Sequence, residues 1–188
     1  MQCDYDQQVM VPENYKIMIT EEKIHQRLKE LGEQIARDFD GKKPILIGVL
    51  NGGFIFLADL IRYINTDLEI DFIRISSYGN GRESSGHIKV LKPLSADIKD
   101  RHVIVVEDIV DSGLSVQFLE NMLRAFGPAD LRFATLLNKP EKNKAPIKLH
   151  YIGFNIEDKY VVGYGLDDTQ LKRNLRSIYY IEQEGDVS

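Results

Sequence analysis

The chain has 188 residues, 43% of them hydrophobic and 28% charged, a length and balance that suit one globular domain with a sizeable core. A formal net charge of -5, with Lys and Arg scattered along the chain, excludes a general nucleic-acid binder, which needs a massed basic face to displace counterions. No apolar stretch approaches the length of a bilayer span, and the start Met1-Gln2-Cys3-Asp4 lacks a basic flank followed by an apolar region, so the expectation is a cytoplasmic protein with no membrane partner.

In chain order, a polar start leads to Thr20, which can cap a helix with Glu21 and Glu22 in its first turn. Ile24, Leu28, Leu31 and Ile35 follow helical spacing, and Asp40-Gly41 ends it. Ile45 to Leu50 reads as a short apolar strand, Asn51-Gly52-Gly53 as a turn and Phe54 to Ile64 as a strongly apolar helix, the first β-turn-α unit. Leu68 to Ser77 predicts a second strand, and the Gly- and Ser-rich segment from Tyr78 to Gly86 a mobile loop. His87 to Leu91 and Val103 to Val106 continue the sheet. Leu114 to Phe126 predicts a helix closed by Gly127-Pro128, and Leu131 to Leu137 a further strand. The alternation implies an α/β fold with a doubly wound, mostly parallel sheet. Tyr151 to Phe154, Tyr160 to Tyr164 and Ser177 to Ile181 are three short strand candidates with little helix between them, expected to form a small hood on the core.

The segment richest in chemistry is Val103 to Ser115, where Glu107, Asp108 and Asp111 and a hydroxyl-rich turn follow a β-branched run with the character of a buried parallel strand. Free backbone N–H groups at the start of the next helix, with the hydroxyls of Ser112 and Ser115, suit a phosphate. The three carboxylates would repel the same anion. Both features are accommodated by a phosphorylated sugar, its hydroxyls and a divalent metal held by the first two carboxylates and its phosphate seated beyond them. Ligands of open α/β sheets bind beyond the carboxyl ends of the strands, so the turn at Asn51, the turn after Glu107, and Lys139 after Leu137 should line one cleft.

Val-Ile-Val-Val-Glu-Asp-Ile-Val-Asp-Ser-Gly-Leu-Ser resembles the phosphoribosyl-diphosphate signature of the type I phosphoribosyltransferases. Leu136-Leu137-Asn138-Lys139 and the run Asp158 to Asp167 extend the resemblance from about Ile17 to Ile181 and point to the 6-oxopurine (hypoxanthine-guanine) branch. The resemblance implies one phosphoribosyltransferase domain over residues 1–188, with the hood drawn from the N-terminal segment and about 151–188. It implies an Mg2+-dependent transfer from 5-phosphoribosyl 1-diphosphate to a 6-oxopurine base, with IMP or GMP as product, by a homodimer or homotetramer. The helix from Phe54 to Ile64 is apolar on more than one face, as an interface between subunits requires and as a buried core helix also shows.

By the same resemblance, Asp111 is the catalytic group exchanging a proton with the purine N7, and Glu107 and Asp108 hold the ribose and a metal. Asp111, Ser112, Gly113, Leu114 and Ser115 form the 5′-phosphate loop. Lys139 donates to the exocyclic oxygen of the purine. Tyr160 stacks on the base, Ile109 covers its other face, and the backbone near Val161 and Asp167 reads its Watson–Crick edge. Asn51, Gly52, Gly53 and Arg173 bind pyrophosphate, Asp167 holds a second metal, and Ser77-Tyr78 opens the closing loop. Asn51 departs from the pattern, since many relatives carry lysine there, often at a non-proline cis peptide. A regulator that keeps this fold and senses the ribosyl donor without catalysis is the rival reading; the acidic balance, Asp111 and Lys139 count against it.

Overall fold

A computed structural model of the chain describes residues 11–78 and 87–182. Its core is a six-stranded sheet built from β2 (Ile45–Leu50), β3 (Glu69–Tyr78), β4 (His87–Lys92), β5 (His102–Val110), β6 (Asp130–Asn138) and β7 (Tyr151–Asn155), in the order β4-β3-β2-β5-β6-β7. All neighbours are parallel except β3 and β4. After β2 the chain turns to one side of the sheet for β3 and β4, then crosses to the other side for β5, β6 and β7. The reversal therefore lies between β2 and β5.

Alternation along β5 sorts its side chains between two cores. Ile104 and Val106 face α1 (Glu21–Asp38) and α2 (Phe54–Leu60), while Val103 and Val105 face α3 (Leu114–Arg124). Helix α1 begins as its sequence predicts: the Thr20 side chain accepts from the Lys23 N–H, and Ile24, Leu28, Leu31 and Ile35 are buried. Helix α2 is shorter than expected, tightening into a 3₁₀ turn over Ile61–Tyr63 where the Tyr63 backbone lies so close to Gly32 of α1 that a Cβ on that glycine would meet it.

One expectation is corrected. Tyr151–Asn155 is not a hood strand; it is the parallel edge strand of the main sheet, paired with β6 through Ala134↔Tyr151 and Leu137↔Phe154. The hood is instead a three-stranded antiparallel sheet in which β9 (Ile178–Ile181) lies between β1 (Tyr15–Ile19) and β8 (Val161–Val162). β1 lies in the polar N-terminal segment that the resemblance assigns to the hood, though no strand is expected there. Its Ile19 joins Val161 and Ile178 in the core under α1 and α2. The free edge of β7 is covered by a side chain of α1: Arg27 Nε donates to the Gly153 carbonyl at 3.0 Å and its Nη2 to the Ile152 carbonyl at 2.8 Å. No helix among the described residues is long and apolar enough to cross a membrane.

Candidate active site

Carboxyl ends of β2 and β5, adjacent at the reversal, open onto a cleft of about 270 Å³. Asn51, Gly52, Glu107, Asp108, Ile109, Ser115, Asp167 and Arg173 line it. β5 runs on through the acidic pair to Val110, beyond the Val106 end that the apolar run suggested. Continuing the β5 alternation puts Asp108 on the face of α2, against the turn that opens that helix. A Cβ on Gly52 would collide with the Asp108 carboxylate, and one on Gly53 would lie 2.9 Å from the Val49 carbonyl oxygen. Both glycines are required by packing, and the peptide between Leu50 and Asn51 is cis.

A hood loop completes the cleft. Gly163, Tyr164 and Gly165 all have positive φ, and the Tyr164 hydroxyl donates to Asp59 of α2 at 2.6 Å. That anchor brings Gly165 so close to the Gly52 carbonyl that only glycine fits. Arg173 Nη1 donates to the Gly165 carbonyl at 2.7 Å, and its Nη2 pairs with Asp167 Oδ1 at 2.7 Å. The other Asp167 oxygen accepts from the Gln170 N–H at 2.8 Å. Arg173 thus places a cation in the cleft beside Asn51.

Burial pushes the Glu107 carboxyl well above the usual carboxylate range, and the Asp108 charge adds to it. Burial also raises Asp108, to about 6, against the opposing Ile109 N–H and its own; Arg173 lowers it and Asp167 raises it. Glu107 Oε1 is buried with no hydrogen-bond partner among the described residues. Two adjacent carboxylates, one with an orphaned oxygen, fit a hard divalent cation or sugar hydroxyls. No three acidic, His or Cys groups among the described residues converge to hold a metal by themselves, so Glu107, Asp108 and Asp167 do not form one cage. Magnesium commonly uses one or two protein carboxylates and completes its shell with substrate and water oxygens.

Gly113, at φ +80, turns the chain from β5 into α3, and no side chain caps that helix. The residues after β6 wrap the outside of this turn: the Lys144 N–H donates to the Ser112 carbonyl at 3.1 Å, and Asn143, Ala145 and Ile147 fill the space where a side chain on Gly113 would go. The Ser112 hydroxyl accepts from the Leu114 N–H at 3.5 Å, whereas Ser115 faces the cleft.

Lys139 does not line the Asn51 cleft; it flanks β5 on the β6 side. Parallel register pairs Ile109 with Leu137 and Val110 with Asn138, so Asp111 and Lys139 are the next residues of adjacent strands. The Lys139 N–H donates to the Val110 carbonyl at 2.9 Å. Its ammonium, on a side chain only 7% exposed, is 3.0 Å from Asp158 Oδ1 and 3.9 Å from Asp111 Oδ2. Lys142 pairs with the same two carboxylates, at 3.1 Å from Asp158 and 3.6 Å from Asp111. Neither Asp158 nor Lys142 carries a role that the sequence alone assigns. The Lys139 ammonium is the main influence holding the Asp158 carboxyl below its ordinary range, and Asp158 in turn raises Lys142.

Tyr160 is half exposed and its hydroxyl donates to the Asp167 carbonyl at 3.2 Å, while Val161 is buried in β8. Ile109 packs against the core under α1 and α2 and also reaches the cleft. Ser77 and Tyr78 end β3, and the closing loop expected beyond them, residues 79–86, lies outside the described residues.

The family model described as a phosphoribosyl transferase domain matches residues 18–169. The chain is 43% identical over 160 residues to a hypoxanthine-guanine phosphoribosyltransferase of Bacillus subtilis (strain 168), covering 85% of this chain and 89% of that protein. Its identity to the one from Streptococcus pneumoniae (strain ATCC BAA-255 / R6) is 41% over 169 residues, covering 90% and 94%. The solved hypoxanthine-guanine phosphoribosyltransferase of Bacillus anthracis str. 'Ames Ancestor' superposes with a TM-score of 0.85 at 46% identity, covering 88% of this chain and 98% of that one. The hypoxanthine phosphoribosyltransferase structure from Staphylococcus aureus gives 0.86 at 40% identity, covering 89% and 91%. The chain belongs to the phosphoribosyltransferases, in their hypoxanthine-guanine branch.

Proposed function

We propose that the chain salvages purines by transferring the 5-phosphoribosyl group of 5-phosphoribosyl 1-diphosphate to hypoxanthine or guanine, releasing IMP or GMP and pyrophosphate. The observation that carries this reading is the side-by-side placement of Lys139 and Asp111, a donor and an acceptor 3.9 Å apart. A 6-oxopurine presents the complementary pair on one edge, an oxygen at C6 that accepts and an N7 whose proton can be given up. Adenine would set its amino group against the ammonium, leaving two donors facing each other, so it is rejected.

The other roles follow the cleft. Glu107 and Asp108 accept the ribose hydroxyls, and the turn Asp111 to Ser115 offers backbone N–H groups and the Ser115 hydroxyl to the 5′-phosphate. Pyrophosphate lies against Asn51, Gly52 and Gly53, with Arg173 as its charge partner in place of the lysine many relatives carry at position 51. Tyr160 and Ile109 cover the two faces of the base, and the backbone near Val161 and Asp167 reads its Watson–Crick edge. Ser77 and Tyr78 begin the segment that excludes water from the transfer. Magnesium, when bound, would supply charge neutralisation for the pyrophosphate; Glu107 and Asp108 would hold one ion and Asp167 a second, with substrate oxygens completing their shells. As positive charge builds at the anomeric carbon, the nearby carboxylates stabilise it, N9 of the base attacks, and Asp111 takes the N7 proton.

This activity belongs to a cytoplasmic homodimer or homotetramer. Phe54, at the start of α2 and 43% exposed, supports an assembly surface there. Sedimentation velocity of the intact chain tests the subunit number, and a monomer at assay concentration overturns it.

Nucleotide formation from magnesium-phosphoribosyl diphosphate, with hypoxanthine, guanine, xanthine and adenine offered separately, tests the reaction. Turnover of hypoxanthine and guanine with adenine inert is expected. Binding of the ribosyl donor without turnover of any base would overturn the reading in favour of a non-catalytic sensor.

A further inference from the structure

Lys139, Asp158, Lys142 and Asp111 form a closed ring of alternating charge at the carboxyl ends of β5 and β6, with each ammonium facing both carboxylates at 3.0 to 3.9 Å. The four residues come from three chain segments: the turn after β5, the segment after β6, and the connection between β7 and β8. Only Lys139 is buried; the side chains of Asp158, Asp111 and Lys142 are 46%, 46% and 44% exposed. The shortest contacts in the ring are those to Asp158, and Asp111 takes the two longest.

We propose that Asp158 is a positioning residue for base recognition: it holds the Lys139 ammonium away from Asp111, so that the donor and the acceptor meant for the purine are not spent on each other. The proposal rests on the reading of Lys139 and Asp111 given above. An ammonium has three donors and no acceptor, and Asp158 engages one of them at 3.0 Å, leaving others for the oxygen at C6. Remove Asp158 and the nearest remaining carboxylate for Lys139 is Asp111. The ammonium closes the 3.9 Å gap to charge-assisted hydrogen-bond length, and the base must then break an ion pair before it can be read. Lys142 completes the device by drawing Asp111 from the other side, at 3.6 Å, closer than Lys139 stands to it.

The structural alternative is that Asp158 makes an ordinary surface ion pair, which at its exposure contributes little to anything. Steady-state kinetics of the intact enzyme separate the two. For Asp158→Asn, KM for hypoxanthine should rise roughly tenfold, the scale of one charge-assisted hydrogen bond, while KM for the ribosyl donor stays within about twofold. Asp158→Glu, which keeps the charge, should recover part of the loss. In a Lys139→Gln background the Asp158→Asn change should add nothing further, because its only route of action is gone. An unchanged KM for hypoxanthine in Asp158→Asn overturns the proposal, as does an equal rise in the Lys139→Gln background. Thermal melts of each variant accompany the kinetics; should Asp158→Asn fail to fold, Asp158→Ser, which also removes the charge, carries the same comparison in both backgrounds. A wild-type chain that turns over no oxopurine defeats the underlying reading as well, and that outcome is visible before any variant is made.

Discussion

The Asp108 carboxylate occupies the space where a side chain on Gly52 would begin, so the turn after β2 and the acidic pair at the end of β5 are packed as one unit. In Gly52→Ala the new methyl group displaces Asp108, which is tied to the Ile109 N–H at 2.9 Å, and with it the ribose and metal contacts. Misplacing reacting groups by about 1 Å costs on the order of 10²-fold, so kcat/KM for nucleotide formation should fall by at least about that much. Retained activity in Gly52→Ala would show that the close packing has no functional consequence.

Asp111→Asn should lower kcat by about 10²–10⁴-fold, the usual contribution of a positioned general base. The side chain is 46% exposed and its ion pairs are long, at 3.6 and 3.9 Å, so the melting temperature should barely move. A wild-type rate in this variant removes Asp111 from the proton transfer.

Lys139→Gln replaces a fixed donor with a group that can donate or accept. Loss of a charged hydrogen bond of about 1.5–3 kcal/mol corresponds to a drop of roughly 10- to 100-fold in kcat/KM for hypoxanthine. Adenine, no longer met by an obligatory donor, should gain relative to hypoxanthine. Parallel assays with the two bases check both halves, and an unaltered ratio between them refutes the donor argument.

In the ligand-free protein, burial raises both carboxyls of the acidic pair, with the Asp108 charge adding to the effect on Glu107 and the Asp167 charge to that on Asp108, which reaches about 6. The folded state then binds more protons than the unfolded chain from about pH 4 upward, so the pair's contribution to stability declines as pH rises through that window. Calorimetry should find the ligand-free chain losing stability between pH 5 and 7, and added Mg2+ with the ribosyl donor should restore more at pH 7 than at pH 5. Asp108→Asn should flatten the trend; a slope that persists unchanged would locate its origin elsewhere.

Asp71 titrates in the opposite sense. Burial raises its carboxyl, but the N–H groups of Ala96, Phe72 and Ser95, with the Lys92 charge, outweigh burial and bring it below the ordinary value. Its stabilisation is present above about pH 4, the unfolded value, and is lost as pH falls through the folded one. Asp71→Asn should cost about 2–3 kcal/mol at pH 7 and lose that deficit in acid, which denaturant titrations at the two pH values will measure.

Much of the site was legible because its determinants are local. The β-branched run before Glu107, the glycine turn after Leu50 and the capped start of α1 each follow from neighbouring residues, and all three lie where the sequence put them. What escaped is non-local. β1 exists because β9, some 160 residues later, offers it an edge, through pairs such as Tyr15↔Ile181. β7 reads as a hood strand because little helix separates it from the strand candidates that follow it, whereas parallel strands are usually joined through a helix. Here the crossover from β6 is an irregular stretch that wraps the turn at Gly113. Asp158 opens the run to Asp167 that carries the resemblance, yet only the fold brings it to Lys139.

Arg27 gives the sheet an unusual border. Its guanidinium holds two consecutive carbonyls of the edge strand, Gly153 and Ile152, and its Nη1 is itself held by Glu30 at 2.7 Å. A helix side chain thus seals the side of the molecule on which β7 lies. A strand added on that side would first have to displace Arg27 from the two carbonyls it holds.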